Sequence, residues 1–205
     1  FAEKEIVALL FDFDGTFTDF DKSLPIVLTP EDLEPFKQLG DGKIDPSKGL
    51  TLKKVKYDSF SSLGVDVSDY MVQQIISQTL TAYFSRQLER IKLYPWVPDF
   101  IKILSSRFQL GIVSNGPAEN IERHLGDLQK FFQVIKCMGN VQRLKPSAKG
   151  VLEACNTLKA REDYVMMIGD SKEDILAAKK AGVWIGLASW GIHQKTWVNF
   201  LIKLD

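Results

Sequence analysis

At 205 residues, the chain is long enough for one α/β domain with an insertion but too short for a second large domain. Its 45% hydrophobic and 25% charged residues are typical of a globular protein and argue against a disordered or fibrous chain. Lys+Arg and Asp+Glu both number 26, so the chain lacks the net positive charge typical of nucleic-acid-binding proteins, and we expect no nucleic-acid partner.

Five short apolar runs, most of them unbroken, predict the buried strands of a parallel sheet. They occupy residues 6–11, 110–113, 134–135, 165–168 and 183–188. Helical periodicity predicts helices over residues 98–108 and 118–131, from Ser147 onwards, and over 172–181 with Gly182 as its C-terminal cap. Strands that alternate with helices in this way indicate a doubly wound, mainly parallel α/β sheet, which is a Rossmann-like core.

Residues 19–92 interrupt this alternation with helical patterns and no convincing buried strand. Candidate helices cover residues 30–39, 50–63 and 68–91, and a loop with several glycines, residues 40–49, joins the first two. We therefore expect a helical cap formed by residues 19–92, inserted into a catalytic core formed by residues 1–18 and 93–205. Lys43 and Lys48 in the loop are predicted to contact an anionic substrate.

Polar side chains follow three of the predicted strands. Asp12 and Asp14 follow the first apolar run, Ser114 and Asn115 follow the second, and Asp170 follows the fourth. In doubly wound sheets, ligands bind beyond the carboxyl ends of the strands. The order of the elements therefore predicts a functional site that contains these residues.

The carboxylates in these segments suggest a metal site. Asp12 and Asp14 are two residues apart in an extended segment, so their side chains lie on one side and repel each other unless a cation or a proton intervenes. Asp170 and Asp174 are four residues apart where a helix begins. Oxygen ligands of this kind are those that Mg²⁺ prefers. An ordinary Asp-Gly turn and a helix cap are the alternatives without chemistry.

Two further side chains fit a site for phosphate. Ser114 can donate a hydrogen bond to a phosphoryl oxygen, and Lys145 can neutralise the charge on the same group. A turn-capping serine and a solvated lysine are the ordinary alternatives.

Four segments together resemble the four motifs of the haloacid dehalogenase superfamily, in the same order. They are D-x-D-G-T at residues 12–16, Ser114, Lys145-Pro146 and G-D-x-x-x-D at residues 169–174. Ser189-Trp190-Gly191 and the insertion after the first motif are similar to the phosphoglycolate phosphatase-like branch. That branch often reads K-P-x-P at the third motif, whereas this chain has Ala148 at the last of these positions.

The resemblance implies a Mg²⁺-dependent phosphatase that hydrolyses a small phosphorylated metabolite, a phosphate monoester, through an aspartyl-phosphate intermediate. Asp12 would be the nucleophile, Asp14 the general acid and base, and Lys145 would offset charge on the transferred group. The implied metal ligands are Asp12, Asp14 through its backbone carbonyl, and Asp170, with Asp174 in support of that shell or of Lys145. The implied phosphate and substrate contacts are Gly15, Thr16, Ser114 and the Asn115 backbone.

Three other functions stay open on the same core. Ser114-Asn115-Gly116 resembles the second motif of 2-haloacid dehalogenases, but these enzymes generally lack an aspartate at the position that matches Asp14, which favours phosphate here. A phosphomutase would need the same core residues. A non-catalytic scaffold is compatible with the fold alone, and the intact set of motif residues opposes it.

The remaining features predict structural roles and a compartment. Cys137 and Cys155 follow no metal-ligand spacing and are predicted to be reduced core residues. His124 and His193 lie outside the motifs and are assigned to a helix surface and a C-terminal loop. Since no apolar run approaches the ~20 residues of a membrane span, we expect a cytoplasmic protein.

Overall fold

Five of the seven described strands form at the predicted apolar runs. The computed structural model describes residues 5–20, 25–26, 29, 31, 50–51, 70–87 and 90–190. The strands are β1 (Ala8–Phe11), β2 (Pro25–Ile26), β3 (Leu50–Thr51), β4 (Gln109–Pro117), β5 (Val134–Met138), β6 (Val165–Gly169) and β7 (Trp184–Leu187). The α-helices are α1 (Tyr70–Gln87), α2 (Val97–Ser105), α3 (Ala118–Leu125), α4 (Lys149–Leu158) and α5 (Lys172–Ala181), and 3₁₀ helices cover Gly126–Phe131 and Glu162–Tyr164.

Five of these strands form one parallel sheet in the order β5-β4-β1-β6-β7. The chain moves outward from β1 through β4 to β5 and then returns to the other side of β1 for β6 and β7. The strand order therefore reverses beside β1, and ligands of doubly wound sheets bind at such a reversal. The predicted doubly wound, parallel α/β fold is confirmed.

Apolar side chains cover both faces of the sheet because successive residues of a strand point to opposite sides. Ala8 and Leu10 of β1 pack in a cluster with α4 and α5, and Leu9 and Phe11 pack in a second cluster with α2 and α3. Cys137 and Cys155 are both buried and free, as predicted for core residues. Burial raises the pKa of the Cys137 thiol to about 12 and that of the Cys155 thiol to about 11, so both stay protonated.

Two elements of the core differ from the prediction. The single helix expected over residues 118–131 is divided, because Gly126 has φ +48° and ends α3, and a 3₁₀ helix follows. The last strand is not buried on both faces. Trp184 of β7 is 51% exposed because, among the described residues, β7 lies at the edge of the sheet and pairs with β6 alone.

The predicted insertion contains a described antiparallel pair that the helical patterns did not predict. Pro25–Ile26 of β2 pair with Leu50–Thr51 of β3, so the candidate helix over residues 50–63 begins as a strand. Helix α1, Tyr70–Gln87, lies within the candidate helix over residues 68–91. The candidate helix over 30–39, the loop 40–49 and the rest of 50–63 lie almost entirely outside the described residues. Within the described residues, no helix is both long and apolar enough to span a membrane.

Candidate active site

Asp12 and Asp14 lie where β1 ends and the chain turns. The N–H of Asp12 donates to the Ile168 carbonyl at 2.8 Å, which extends the pairing with β6 by one residue. The turn then closes on one acceptor, because the N–H groups of Thr16, Phe17 and Thr18 all donate to the Phe13 carbonyl. Asp12 and Asp14 are 3% and 1% exposed, so both carboxylates are held in the interior at the carboxyl edge of the sheet.

Lys145 joins two of the predicted carboxylates. Its Nζ donates to Asp12 Oδ1 at 2.7 Å, to Asp174 Oδ1 at 2.5 Å and to the Val113 carbonyl at 2.6 Å. These three acceptors match the three donors of an ammonium group. Burial by itself lowers the pKa of this lysine, but the charges and hydrogen bonds of Asp12 and Asp174 outweigh burial and raise the pKa. Lys145 is therefore a charged residue of the site and not a solvated surface lysine.

Asp174 acts both at a helix start and in the site. Its Oδ2 accepts from the Ser171 N–H at 2.8 Å and from Ser171 Oγ at 2.5 Å, while its own N–H donates to Ser171 Oγ, which forms a capping box at the start of α5. Its Oδ1 accepts from Lys145. The helix cap and the contact with Lys145 are therefore one arrangement, in which each oxygen of Asp174 has its own partner.

Three carboxylates form a group that fits a divalent cation. Ligand oxygens of Asp12, Asp170 and Asp174 lie within 4.8 Å of one another, and all three residues are buried. The charges of these carboxylates and Lys145 sum formally to −2, which a dication balances, and carboxylate oxygens are its preferred ligands. Gly15 allows the backbone to approach the group closely, because a Cβ at this position would collide with Asp170 Oδ2 at 2.6 Å.

The end of β4 contributes Ser114 and Asn115. The pairing of β4 with β5 shifts register between Val113 and Pro117, so the strand is irregular where these residues lie. Ser114 is 2% exposed, and its Oγ accepts from the Gly116 N–H at 3.0 Å. The Asn115 amide accepts from the Lys145 N–H and donates to the Lys145 carbonyl, both at 2.8 Å. The Asn115 side chain thus fixes the Lys145 backbone, a role that the sequence interpretation missed.

Two hydrogen bonds connect the turn after β1 to distant parts of the chain. Thr16 Oγ1 donates to Asp170 Oδ1 at 3.3 Å, and Trp190 Nε1 donates to the Thr16 carbonyl at 2.8 Å. Trp190 meets Trp96 edge to face, and Trp96 stacks on Tyr94. The contact of Trp190 with Thr16 was not predicted, because the sequence signal at Trp190 is only a short turn motif.

For two polar residues of α3, the structure differs from the sequence predictions, because His124 was assigned to a different environment and Asn120 was missed. His124 is half-buried, with Nδ1 2.7 Å from the Asn120 carbonyl and Nε2 3.1 Å from the Ile91 carbonyl, so its assignment to a helix surface is wrong. Asn120 was missed, although its Nδ2 donates to Asp14 Oδ1 at 3.3 Å. The sequence signal that could have identified Asn120 was its position as a polar residue directly before Ile121 in an apolar helix pattern.

The described residues therefore bring together most of the predicted site. The converging residues are Asp12, Asp14, Gly15, Thr16, Ser114, Asn115, Lys145, Asp170 and Asp174. Lys43, Lys48 and His193 lie outside the described residues. Chemically, a buried carboxylate beside an ammonium group and a cation site can attack an electrophile on which negative charge accumulates.

Comparison with known proteins places this site in a family. The family described as haloacid dehalogenase-like hydrolase matches residues 9–187. Pyrophosphatase PpaX of Listeria welshimeri is 29% identical over 204 residues, which cover 92% of this chain and 85% of that protein. Phosphoglycolate phosphatase of Aquifex aeolicus is 27% identical over 186 residues, which cover 89% and 84%.

A solved structure supports the fold. The 2-haloacid dehalogenase of Pseudomonas syringae superimposes with a TM-score of 0.58 at 20% identity, over 98% of this chain and 100% of that one. At this identity the likeness extends to the fold alone. The match of the family across β1 to β7, together with the motif residues that meet at one edge of the sheet, confirms the predicted resemblance. The chain belongs to the haloacid dehalogenase-like hydrolase family and is a hydrolytic enzyme.

Proposed function

We propose that this hydrolase is a Mg²⁺-dependent phosphatase that acts on a small phosphate monoester through an aspartyl phosphate on Asp12. The observation that carries the proposal is the buried group of Asp12, Asp170 and Asp174 with Lys145 bonded to two of its members. The names of relatives support the same class of reaction, since they include a phosphoglycolate phosphatase and a pyrophosphatase.

In the first step, a carboxylate oxygen of Asp12 attacks phosphorus and forms a new O–P bond. The P–O bond to the leaving group breaks, and Asp14, in its protonated form, gives its proton to the leaving oxygen. Lys145 offsets negative charge on the phosphoryl group as it moves. Its three hydrogen bonds hold the ammonium group beside Asp12 before the substrate arrives, which limits reorganisation.

In the second step, Asp14 takes a proton from water as the water attacks the aspartyl phosphate, which releases inorganic phosphate and restores Asp12. The proposed Mg²⁺ ligands are the Asp12 carboxylate, the Asp14 backbone carbonyl and Asp170, with Asp174 in support. Mg²⁺ bound there would add positive charge beside the transferred phosphoryl oxygens. Ser114 Oγ and the Asn115 N–H would donate to phosphate, with Gly15 and Thr16 at the same opening.

We also propose that residues 19–92 form a cap on the core of residues 1–18 and 93–205. Support comes from the two ends of this segment. The Asp19 N–H donates to the Lys92 carbonyl at 3.0 Å, the Lys92 N–H donates to Asp19 Oδ1 at 2.7 Å, and Thr18 pairs with Leu93. The segment therefore leaves and returns at one point, five residues after Asp14 in the chain, and closure there would exclude water from the site.

Inorganic pyrophosphate is a second candidate substrate, because the relative from Listeria welshimeri is named a pyrophosphatase. It would use the same attack by Asp12 with phosphate as the leaving group. A 2-haloacid dehalogenase or a phosphomutase could also be built on this core. The carboxylate of Asp14, 1% exposed at the site, opposes a dehalogenase, because attack on carbon with loss of halide needs no proton for the leaving group.

One screen separates these functions. Phosphorylated metabolites, pyrophosphate and 2-haloacids are each incubated with the chain, with Mg²⁺ and with EDTA, and the release of phosphate or halide is measured. We expect Mg²⁺-dependent release of phosphate from small monoesters. Halide release identifies a dehalogenase, pyrophosphate as the best substrate selects the second candidate, and no turnover of any compound favours a scaffold. Isomerised phosphate esters, detected by NMR, indicate a mutase.

We further propose a cytoplasmic location, because two buried, free cysteines are typical of proteins from a reducing compartment. Cell fractionation with a tagged chain tests this, and recovery in an exported fraction would contradict it.

A further inference from the structure

Asn120 is a buried polar residue that contacts a site residue from an unexpected element. It lies in the first turn of α3 and is 2% exposed. Its Nδ2 donates to Asp14 Oδ1 at 3.3 Å, whereas its buried Oδ1 has no hydrogen-bond partner among the residues that the structure describes. Its neighbours Ile121 and Leu125 pack in the apolar cluster on the face of the sheet that α2 and α3 cover.

The helix itself does not explain this residue. Asparagine usually stabilises a helix start as the N-cap, but Asn120 is the third residue of α3 and not its N-cap. The N-cap of α3 is Pro117, and no side chain caps this helix start. A buried amide oxygen without a partner costs about 1–3 kcal/mol. An apolar residue would avoid that cost, so the contact with Asp14 is the feature that requires an amide.

The contact distinguishes the two oxygens of Asp14. Oδ1 accepts from Asn120, while Oδ2 lies on the side of Gly116, where a Cβ would be 2.7 Å from Oδ2 and 3.3 Å from Ser114 Oγ. The oxygen that Asn120 does not bond therefore faces the end of β4, where we propose that phosphate is held.

We propose that Asn120 is a positioning residue that holds Asp14 so that Oδ2 exchanges the proton. This rests on the proposed function, in which Asp14 is the acid and base. The amide donates to Oδ1 in both steps and does not itself take up or release a proton. When the P–O bond breaks, the Oδ2 proton passes to the leaving oxygen, and in the second step Oδ2 takes a proton from water.

The test uses two aryl phosphates of similar shape, phenyl phosphate and p-nitrophenyl phosphate, with saturating Mg²⁺. Phenolate is the poorer leaving group and needs the proton, whereas nitrophenolate leaves without it. We expect Asn120→Leu to lower kcat/KM for phenyl phosphate about 10- to 100-fold more than kcat/KM for p-nitrophenyl phosphate, since general acid catalysis contributes about 10²- to 10⁴-fold in total. Asn120→Ala repeats the measurement without a bulky side chain, and Ile121→Val is the control on the same helix.

The reference variant is Asp14→Asn, measured in the same way. A double variant combines Asp14→Asn with Asn120→Leu. The quantity compared is the substrate ratio, that is, kcat/KM for phenyl phosphate divided by kcat/KM for p-nitrophenyl phosphate. A lower ratio in both single variants, with no further decrease in the double variant, supports the proposal. A shift in Asp14→Asn alone overturns the role of Asn120 but leaves the proposed function intact. An unchanged ratio in Asp14→Asn removes the acid role of Asp14 and this inference with it. If circular dichroism shows both Asn120 variants unfolded, Asn120 is structural and the proposal is wrong.

Discussion

At the scale of single residues, the site depends on charges that are buried together. Lys145 is 3% exposed and lies between Asp12 and Asp174, so each carboxylate has a positive partner in the interior. Removing one member of a buried pair typically costs about 3–5 kcal/mol, because the other charge remains buried without compensation. A substitution that keeps a hydrogen-bond acceptor next to Lys145, such as Asp12→Asn, therefore separates chemistry from stability.

Asp12→Asn is expected to remove turnover, at least about 1,000-fold in kcat, because an amide is a far poorer nucleophile than a carboxylate. The amide oxygen can still accept from Lys145, so we expect the protein to stay folded. Phosphate release and thermal melting measure the two effects. Asp99→Asn, an exposed change on α2, is the matched control. Residual kcat above about a tenth of wild type would remove Asp12 from its proposed role.

Asp170→Ala is expected to raise the Mg²⁺ concentration for half-maximal activity at least about tenfold, because the cation site loses an oxygen ligand. The measurement is a Mg²⁺ titration of phosphate release. Glu173→Gln is the control, because Glu173 lies three residues away and outside the group of three carboxylates. Equal Mg²⁺ requirements in the wild type and Asp170→Ala would show that Asp170 is not a ligand.

At the scale of elements, helix α5 begins where the site needs a carboxylate. Gly169 ends β6 without a side chain, because a Cβ there would collide with the Asp174 carboxylate. The capping box of Ser171 and Asp174 then starts the helix, and it leaves one oxygen of Asp174 for Lys145. The capping box that starts α5 thus also orients Asp174 towards Lys145.

Ser171→Ala tests this coupling. We expect a loss of about 1 kcal/mol in the free energy of unfolding, which is typical for an N-cap serine, together with lower activity because Asp174 loses the hydrogen bond from Ser171 Oγ. Urea denaturation and phosphate release measure the two effects. Ser106→Ala, at the exposed end of α2, is the control. A stability loss with unchanged kcat would separate the helix cap from the site.

At the scale of the whole molecule, the connections between residues 19–92 and the core meet beside the site. The paired backbone at Thr18 and Leu93 brings both connections to the turn that carries Asp14. Contacts from α1 also reach the core, since Gln74 Nε2 donates to the Gly139 carbonyl at 3.1 Å and Thr81 Oγ1 to Glu119 Oε2 at 3.2 Å. Substrate selection is therefore expected to depend on the inserted segment.

Replacing both Lys43 and Lys48 with Ala is expected to change the order of preference among small phosphate esters, because two positive charges that can meet an anionic leaving group are lost. Turnover of p-nitrophenyl phosphate should change less than about threefold, since its leaving group carries no further anion. Replacing both Lys102 and Lys130 of the core with Ala is the control. An unchanged ranking, or a phosphopeptide as best substrate, would contradict a selective cap.

Much of the candidate site could be predicted from the sequence because its residues lie in or just beyond the carboxyl-terminal parts of strands. Asp12, Ser114 and Asp170 come directly after apolar runs, and the ends of parallel strands meet at one edge of a sheet. The structure of residues 19–92 was less predictable. Its helical periodicity did not indicate that β2 and β3 would pair, because a pair of two-residue strands is too short to leave a periodic pattern.

The sequence by itself determined the alternation of strands and helices, and with it the parallel sheet and the edge on which the site lies. Only the tertiary structure decided the contacts within that edge. Lys145 meets Asp12 across 133 residues, Asn120 meets Asp14 across 106, and Trp190 meets Thr16 across 174. A hydrogen bond requires its atoms within about 3 Å, and such distances depend on how whole elements pack and not on local periodicity.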